Sequence, residues 1–357
     1  MAVTPGPDVV DELVGADRVL GGRLRDAATF VVDLLHEPGA DIRVVGGQLE
    51  LGADLVVRGH PDEYALEAIE AVDAGTVWAV DGGSCVVADA RSFQVVGHRA
   101  ARVRFCNGRT DVLESPPLDV VAVSDSSAPA LARDALAELL GNEPEQVPDL
   151  PRPVDALREW AEWRMVLRTI ADAEPGDLVL VDGSLHGGPL VPPSVARRAH
   201  EEALGRGVSL AGVVKASTLY WGRHAPLVTL LKRRGDRERP NAAWAARIST
   251  DPVFGRLYIG DIFVAHLAPA APYAFRVDVA RGPEDSNGVL GRLASLSRDA
   301  AFVGYPYPLA RAHQAARVTG YAVADVRRAF REVLGNEGLS DDDAEVLFQD
   351  FHVVLNR

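Results

Sequence analysis

A chain of 357 residues, 47% hydrophobic and 25% charged, carries enough apolar material for a sizeable core and has the balance of an ordinary globular protein. Its net charge of −14 excludes a protein that coats nucleic acid with its whole surface, although a local basic track remains compatible with it. Cys85 and Cys106 give neither a metal spacing nor a disulfide framework. MAVTPGPDVVDELVG lacks the basic residues and apolar run of a signal peptide, and the most hydrophobic stretch, YIGDIFVAHLAPAAPYAF, is interrupted by Asp261, His266 and prolines, so a cytoplasmic protein with no membrane span is expected.

In chain order, residues 8 to 36 read as a helix from the three- and four-residue recurrence of Val9, Leu13, Leu20, Leu24, Val31 and Leu35. Short polar pieces follow to about residue 70. TVWAVDGGS (76–84) is an apolar run ending in Asp-Gly-Gly, which predicts a buried strand delivering an aspartate to a loop. CVVADA and VVGHRAARVRF are the next strand candidates, and their close spacing predicts an antiparallel meander of three. A polar segment leads to a helix over 128–140 and a proline-rich connection. Pro153 opens a long helix, VDALREWAEWRMVLRTIADA, which stops at Glu174-Pro175-Gly176-Asp177. DLVLVDGSL (177–185) is a second buried strand ending in Asp-Gly. With a helix over 193–205 and the strand VSLAGVVKAS (208–217), it makes a strand–helix–strand unit and so a parallel pair. LYIGDIFVAHL and AFRVDVA are further strands, and the chain is largely helical from about residue 288. An antiparallel meander followed by helix-linked parallel strands is the order of a ribonuclease H-like α/β sheet.

Asp81 and Asp182 each close an apolar run and are followed by glycine and serine. A lone aspartate at the end of a central strand is costly to bury, and a cation is one of the few partners that offsets the cost. Glycine beside it lets backbone approach a phosphate or a hydrated ion closely. On the long helix, Glu159 falls within the apolar arc of Trp160, Trp163, Val166, Leu167 and Ile170, and Glu162 at its margin. Either glutamate would complete a hard-oxygen site for Mn²⁺ or Mg²⁺, and each could instead be solvated or paired with a neighbouring arginine. In GYPYPLARAH (304–313) the prolines predict an extended entry carrying Tyr305 and a helix from Leu309 carrying His313. The only lysines are Lys215, on the strand after Asp182, and Lys232, which opens the basic run Lys232, Arg233, Arg234, Arg237 and Arg239. That run is either a strand-guiding track or a solvated loop.

The ordered set of VDGGS, REWAEWR, VLVDGSL, VVKAS and GYPYPLARAH, over residues 76 to 320, resembles the NurA nuclease family. The resemblance implies a ribonuclease H-like fold, a Mn²⁺-dependent 5′→3′ DNA exonuclease with single-strand endonuclease activity, a homodimer, and a hexameric HerA-type ATPase as partner in DNA end resection. Matched by motif, Asp81, Glu162 and Asp182 are the metal-binding acids, and Tyr305 and His313 are the C-terminal active-site pair. Two cations held by the acids, with His313 in one shell or donating a proton, would hydrolyse the phosphodiester. Tyr305 would stack on a base or hold the scissile phosphate. Lys215, with Lys232, Arg233 and Arg234, would bind substrate. The organisation expected is an N-terminal helical, partner-contact segment (1–70), a nuclease core (71–320) and C-terminal helices packed on it (321–357). Two rivals are an actin-like ATPase or kinase, whose Asp-Gly loops would clasp phosphates, and a non-catalytic adaptor of a DNA translocase.

Overall fold

The structure, a computed structural model, describes residues 59–90, 92–147, 149–150, 152–186, 190–217, 219–221, 225–248 and 259–340. The helix expected at 8–36 and the stretch 341–357 lie outside the described residues. The elements are, in order, β1 (Glu67–Ala68), β2 (Val77–Asp89), β3 (Phe93–Cys106), β4 (Arg109–Glu114), β5 (Asp119–Ser124), α1 (Ala128–Leu140), α2 (Pro153–Asp172), β6 (Leu178–Val181) and α3 (Pro193–Gly205). They continue with β7 (Ser209–Val214), β8 (Tyr220–Trp221), β9 (Ala225–Pro226), α4 (Leu227–Glu238), β10 (Trp244–Arg247), β11 (Gly260–His266), β12 (Phe275–Ala280), α5 (Ser286–Leu296), α6 (Tyr307–Ala316) and α7 (Gly320–Asn336).

The main sheet runs β1-β10-β11-β12-β7-β6-β2-β3-β4, with β5 continuing the β4 edge along the other end of β3. Strands β2, β6 and β7 are parallel, and β2, β3 and β4 are antiparallel. An antiparallel meander leading into helix-linked parallel strands is thus present, and the fold is a ribonuclease H-like mixed sheet flanked by helices. The antiparallel extension β12, β11, β10 and β1 lies beyond β7.

Three features depart from the sequence reading. TVWAVDGGS and CVVADA form one 13-residue strand, so Asp81-Gly82-Gly83 lies inside β2 and not in a loop. The interior glycines keep extended backbone with β3 opposite them, Gly82 facing Ala100 and Gly83 facing Arg99. The polar segment after β3 is a hairpin: Asn107 and Gly108 both have positive φ, as a two-residue type I′ turn requires, and they lead into β4. The basic run 232–239 belongs to helix α4 and its C-cap, not to a loop.

Strand parity sorts the core into two layers. Trp78 and Val80 of β2 point to a layer filled by α1, α2 and α3, with Leu136, Leu139, Trp160, Val166 and Ile170 buried there. Val77 and Ala79 point to the opposite layer, where α5 and α6 supply Leu290, Leu293, Leu309 and Ala312. Each large side chain so buried contributes about 1.5–3 kcal/mol. Helix α4 covers the far strands β10 and β11 through Leu227, Leu231 and Trp244.

Candidate active site

The layer rule continues to the end of β6. Asp81 has the parity of Val77 and Ala79, so it faces the α6 layer, and Gly82 faces the α2 layer. Strand β6 stops at Val181, opposite Val80, so Asp182 is the first residue beyond it. Its backbone N–H still donates to the Val80 carbonyl (3.3 Å), which sets the two aspartates side by side where β2 outruns its parallel neighbour. This is the C-terminal end of parallel strands, the usual place for a site in an α/β sheet.

Helix α6 lies over this point, and His313 Nδ1 meets Asp81 Oδ2 at 2.6 Å. One ligand atom each from Asp81, Asp182 and His313 fall within 4.8 Å of one another. From the opposite layer Glu162 reaches the same place across Gly82: a Cβ there would stand 3.1 Å from Glu162 Oε2 and 3.0 Å from Arg158 Cγ. Glycine at 82 therefore opens the strand to a carboxylate from the far side of the sheet. The structure buries Glu162 (5% exposed), 3.4 Å from Arg158 Nη1, whereas the Glu159 side chain is a third exposed and pairs with the same arginine.

The electrostatics are those of acids crowded without sufficient countercharge. Burial, then Asp81, then Asp182 push Glu162 well above the usual carboxylate range, and Arg158 only partly opposes them. Burial and Asp81 push Asp182 up to about 6 against the Lys215 ammonium, which touches its carboxylate. Three carboxylates thus face two cations, and one of those, Arg158, is shared with Glu159. A divalent cation would offset the crowding of such a cluster, and a donor set of carboxylate oxygens with one imidazole suits Mn²⁺ or Mg²⁺. The residues fit a metal.

Tyr305 lies on the entry to α6, its ring edge-on to Phe275 and 5.5 Å from Lys215 Nζ. Its hydroxyl is buried and has no hydrogen-bond partner of good geometry among the described residues. Burial, Asp182 and Asp81 hold it far above the usual phenol range, so it stays a proton donor. Of the expected substrate-binding residues, Lys215 stands in the cluster. Lys232 and Arg234 pair with Asp236 and Glu238 on their own helix, and Arg234 also donates to the Pro61 and Tyr64 carbonyls. Arg233 lies on the same helix.

Sequence reasoning missed the supports. Asp278, buried on β12, accepts from the Leu185 N–H (3.1 Å) and from both Nε and Nη2 of Arg276 (2.7 Å each), which anchors the loop after Asp182. In that loop Ser184 Oγ and His186 Nδ1 are hydrogen-bonded, and burial with the nearby Arg276 lowers His186 to about 4. The charged pair inside AFRVDVA was the available signal, since charge in an apolar strand must find a partner.

The sheet order and this cluster define a ribonuclease H-like fold with a carboxylate-rich, metal-fitting site. Residues 75–220 match the model of the NurA domain. No curated protein matches the sequence. Among solved structures, the NurA nuclease from Sulfolobus solfataricus is similar at 16% identity, covering 93% of this chain and 98% of that one with a TM-score of 0.56, a likeness of fold. A NurA bound to dAMP and manganese (9% identity, 79% and 92% covered) and the catalytic domain of human endonuclease V (14%, 77% and 92%) are looser, at TM-scores of 0.48 and 0.32.

Proposed function

We propose that the protein is a metal-dependent DNA nuclease. The observation that carries the reading is the meeting of Asp81, Asp182 and His313, with Glu162 behind Gly82, at the end of β6, within the stretch that matches the NurA domain. Asp81, Asp182, Glu162 and His313 would hold the divalent cation, or two of them. When bound, it supplies the Lewis acidity that polarises a phosphodiester and eases deprotonation of water at neutral pH. Water adds to phosphorus and the bond to the 3′-oxygen breaks. Lys215, already at Asp182, neutralises charge on the phosphate as this happens. Tyr305, kept protonated, donates to a phosphate oxygen. His313 has one of two roles: it completes the cation's shell, or, as an imidazolium, it passes a proton to the departing 3′-oxygen.

The finer expectations belong to the same proposal. They are 5′→3′ exonuclease and single-strand endonuclease activity, Mn²⁺ as the preferred ion, a homodimer, a HerA-type hexameric ATPase delivering DNA ends, and a cytoplasmic location. No helix among the described residues is long and apolar enough to cross a membrane. The rival phosphate-clasping ATPase needs two Asp-Gly loops, and here the first is continuous strand.

The test is cleavage of end-labelled single-stranded DNA with Mn²⁺ by the wild type and by Asp81→Asn and Asp182→Asn. Wild-type cleavage lost in both variants is expected. DNA left intact while ATP is hydrolysed would overturn the reading, and an inert wild type that binds the ATPase would favour the adaptor. A pull-down with a HerA-type ATPase at moderate salt tests the partner separately.

A further inference from the structure

Helix α6 places His313, yet it is only ten residues long and ends in the open at Arg317, where the backbone turns extended. The last carbonyls of a helix have no intrahelical partner, and the negative end of its dipole grows unfavourable beside carboxylates. Here these carbonyls are taken. Ser115 Oγ donates to the Ala315 carbonyl at 2.8 Å, Arg99 Nε to Ala316 at 3.0 Å, and Arg99 Nη2 to Arg317 at 2.6 Å. Arg99 is the direct cross-strand partner of Gly83, and Gly83 is the floor on which the helix end rests: a Cβ there would lie 2.0 Å from the Ala316 carbonyl oxygen. Gly83 is two residues from Asp81 on the same strand. One strand pair therefore carries both the carboxylate that His313 meets and the seat that fixes the helix bearing His313.

We propose that Arg99, with Ser115, is a positioning residue: by clamping the C-terminal carbonyls of α6 onto β3 and the residue that follows β4, the two fix His313 Nδ1 on Asp81 and leave Nε2 available to the reaction. The inference rests on the nuclease reading for its kinetic consequence, but the clamp itself is a statement about the metal-free protein. It has two measurements. The first is the tautomer of the His313 ring, read from its ring-nitrogen NMR signals in metal-free wild type, Arg99→Ala, Arg99→Lys and Ser115→Ala. The wild type should hold its proton on Nδ1. Arg99→Ala should move toward a mixture, with Ser115→Ala in between and Arg99→Lys partly restored. The second is cleavage of single-stranded DNA. Arg99→Ala should lose about 10- to 100-fold in kcat, the scale of a small misplacement of a reacting group, with KM nearly unchanged. Added to His313→Ala, Arg99→Ala should cost nothing more, because it acts through that histidine. Folded variants with an unaltered His313 tautomer overturn the clamp, as does a fully additive double variant. If Arg99→Ala unfolds, the Ser115→Ala tautomer decides alone. A wild type that cleaves no DNA but responds in its tautomer as stated refutes the nuclease reading and sustains the clamp.

Discussion

At the scale of single residues, Asp182 concentrates the conflict between stability and chemistry. Its pKa is raised, so the folded protein holds this proton more tightly than the unfolded chain does between about pH 4 and about pH 6. The contribution of Asp182 to stability therefore falls as pH rises through that window and stays low above it. Asp182→Asn should melt higher than wild type in EDTA at pH 7.5, where a group titrating at about 6 is ionised, and show no such advantage at pH 4. With Mn²⁺ present the order should reverse, because only the wild type gains from the ion. Calorimetric melts under the three conditions check this, and a variant no more stable than wild type in EDTA at the higher pH would refute the crowding of charge inferred for the cluster. Activity of the same variant should fall at least about 100-fold, the scale of one lost electrostatic element of a site.

At the scale of elements, the glycines of β2 differ in what they permit. Gly82 leaves the gap through which Glu162 and Arg158 approach, and Gly83 carries the end of α6. Gly83→Ala cannot be accommodated against the Ala316 backbone without displacing α6. A loss of about 1–3 kcal/mol in urea unfolding is expected, together with loss of cleavage. Gly82→Ala meets the Arg158 and Glu162 side chains, which can shift, and the Arg158 carbonyl at 3.1 Å, a far looser approach than at Gly83, so it should cost less stability while still weakening metal binding. Equal effects of the two in both assays would contradict this division. These roles were only half legible in the sequence. The strands, α1, α2, α3 and the helical C-terminal third follow from periodicity and stop signals, and the acids stand out because charge ends an apolar run. That Asp81 sits within a continuous strand was hidden, since Gly-Gly ordinarily marks a turn and only the opposing β3 and the helices packed on both faces make it extended. Periodicity alone left Glu159 and Glu162 open, since one turn of helix offers two acids; the resemblance favoured Glu162, and it is Glu162 that approaches across Gly82. Arg99 was read past as one charge in a strand, for its partners lie more than two hundred residues away.

At the scale of the whole molecule, the nuclease reading asks an acidic protein to hold an acidic polymer. Lys232 and Arg234 are engaged within α4, and among the described residues Lys215 and Arg158 are the cations paired with the site's own acids. Two phosphate contacts on a single strand give a slope of about −1.4 in log affinity against log salt. Titrations of fluorescent single-stranded DNA in EDTA between low and moderate salt measure it. A slope steeper than about −4 would mean that the surface arginines track the strand after all. Weak intrinsic grip suits a nuclease fed by a partner, and adding a HerA-type ATPase should then tighten binding without changing the cleavage chemistry.

The bond between Asp81 and His313 joins residues 232 positions apart, and that distance has a bearing on when, during synthesis, the cluster is complete. Ribosomes extend a chain at about 5–20 residues per second, so many seconds pass between the emergence of the first acid and that of the histidine. Once Asp182 has followed Asp81 and Glu162 out of the ribosome, the acids can gather while His313 is still to come. On the nuclease reading, the cluster that would cut DNA is thus complete only once its last contributor, on α6, has left the ribosome.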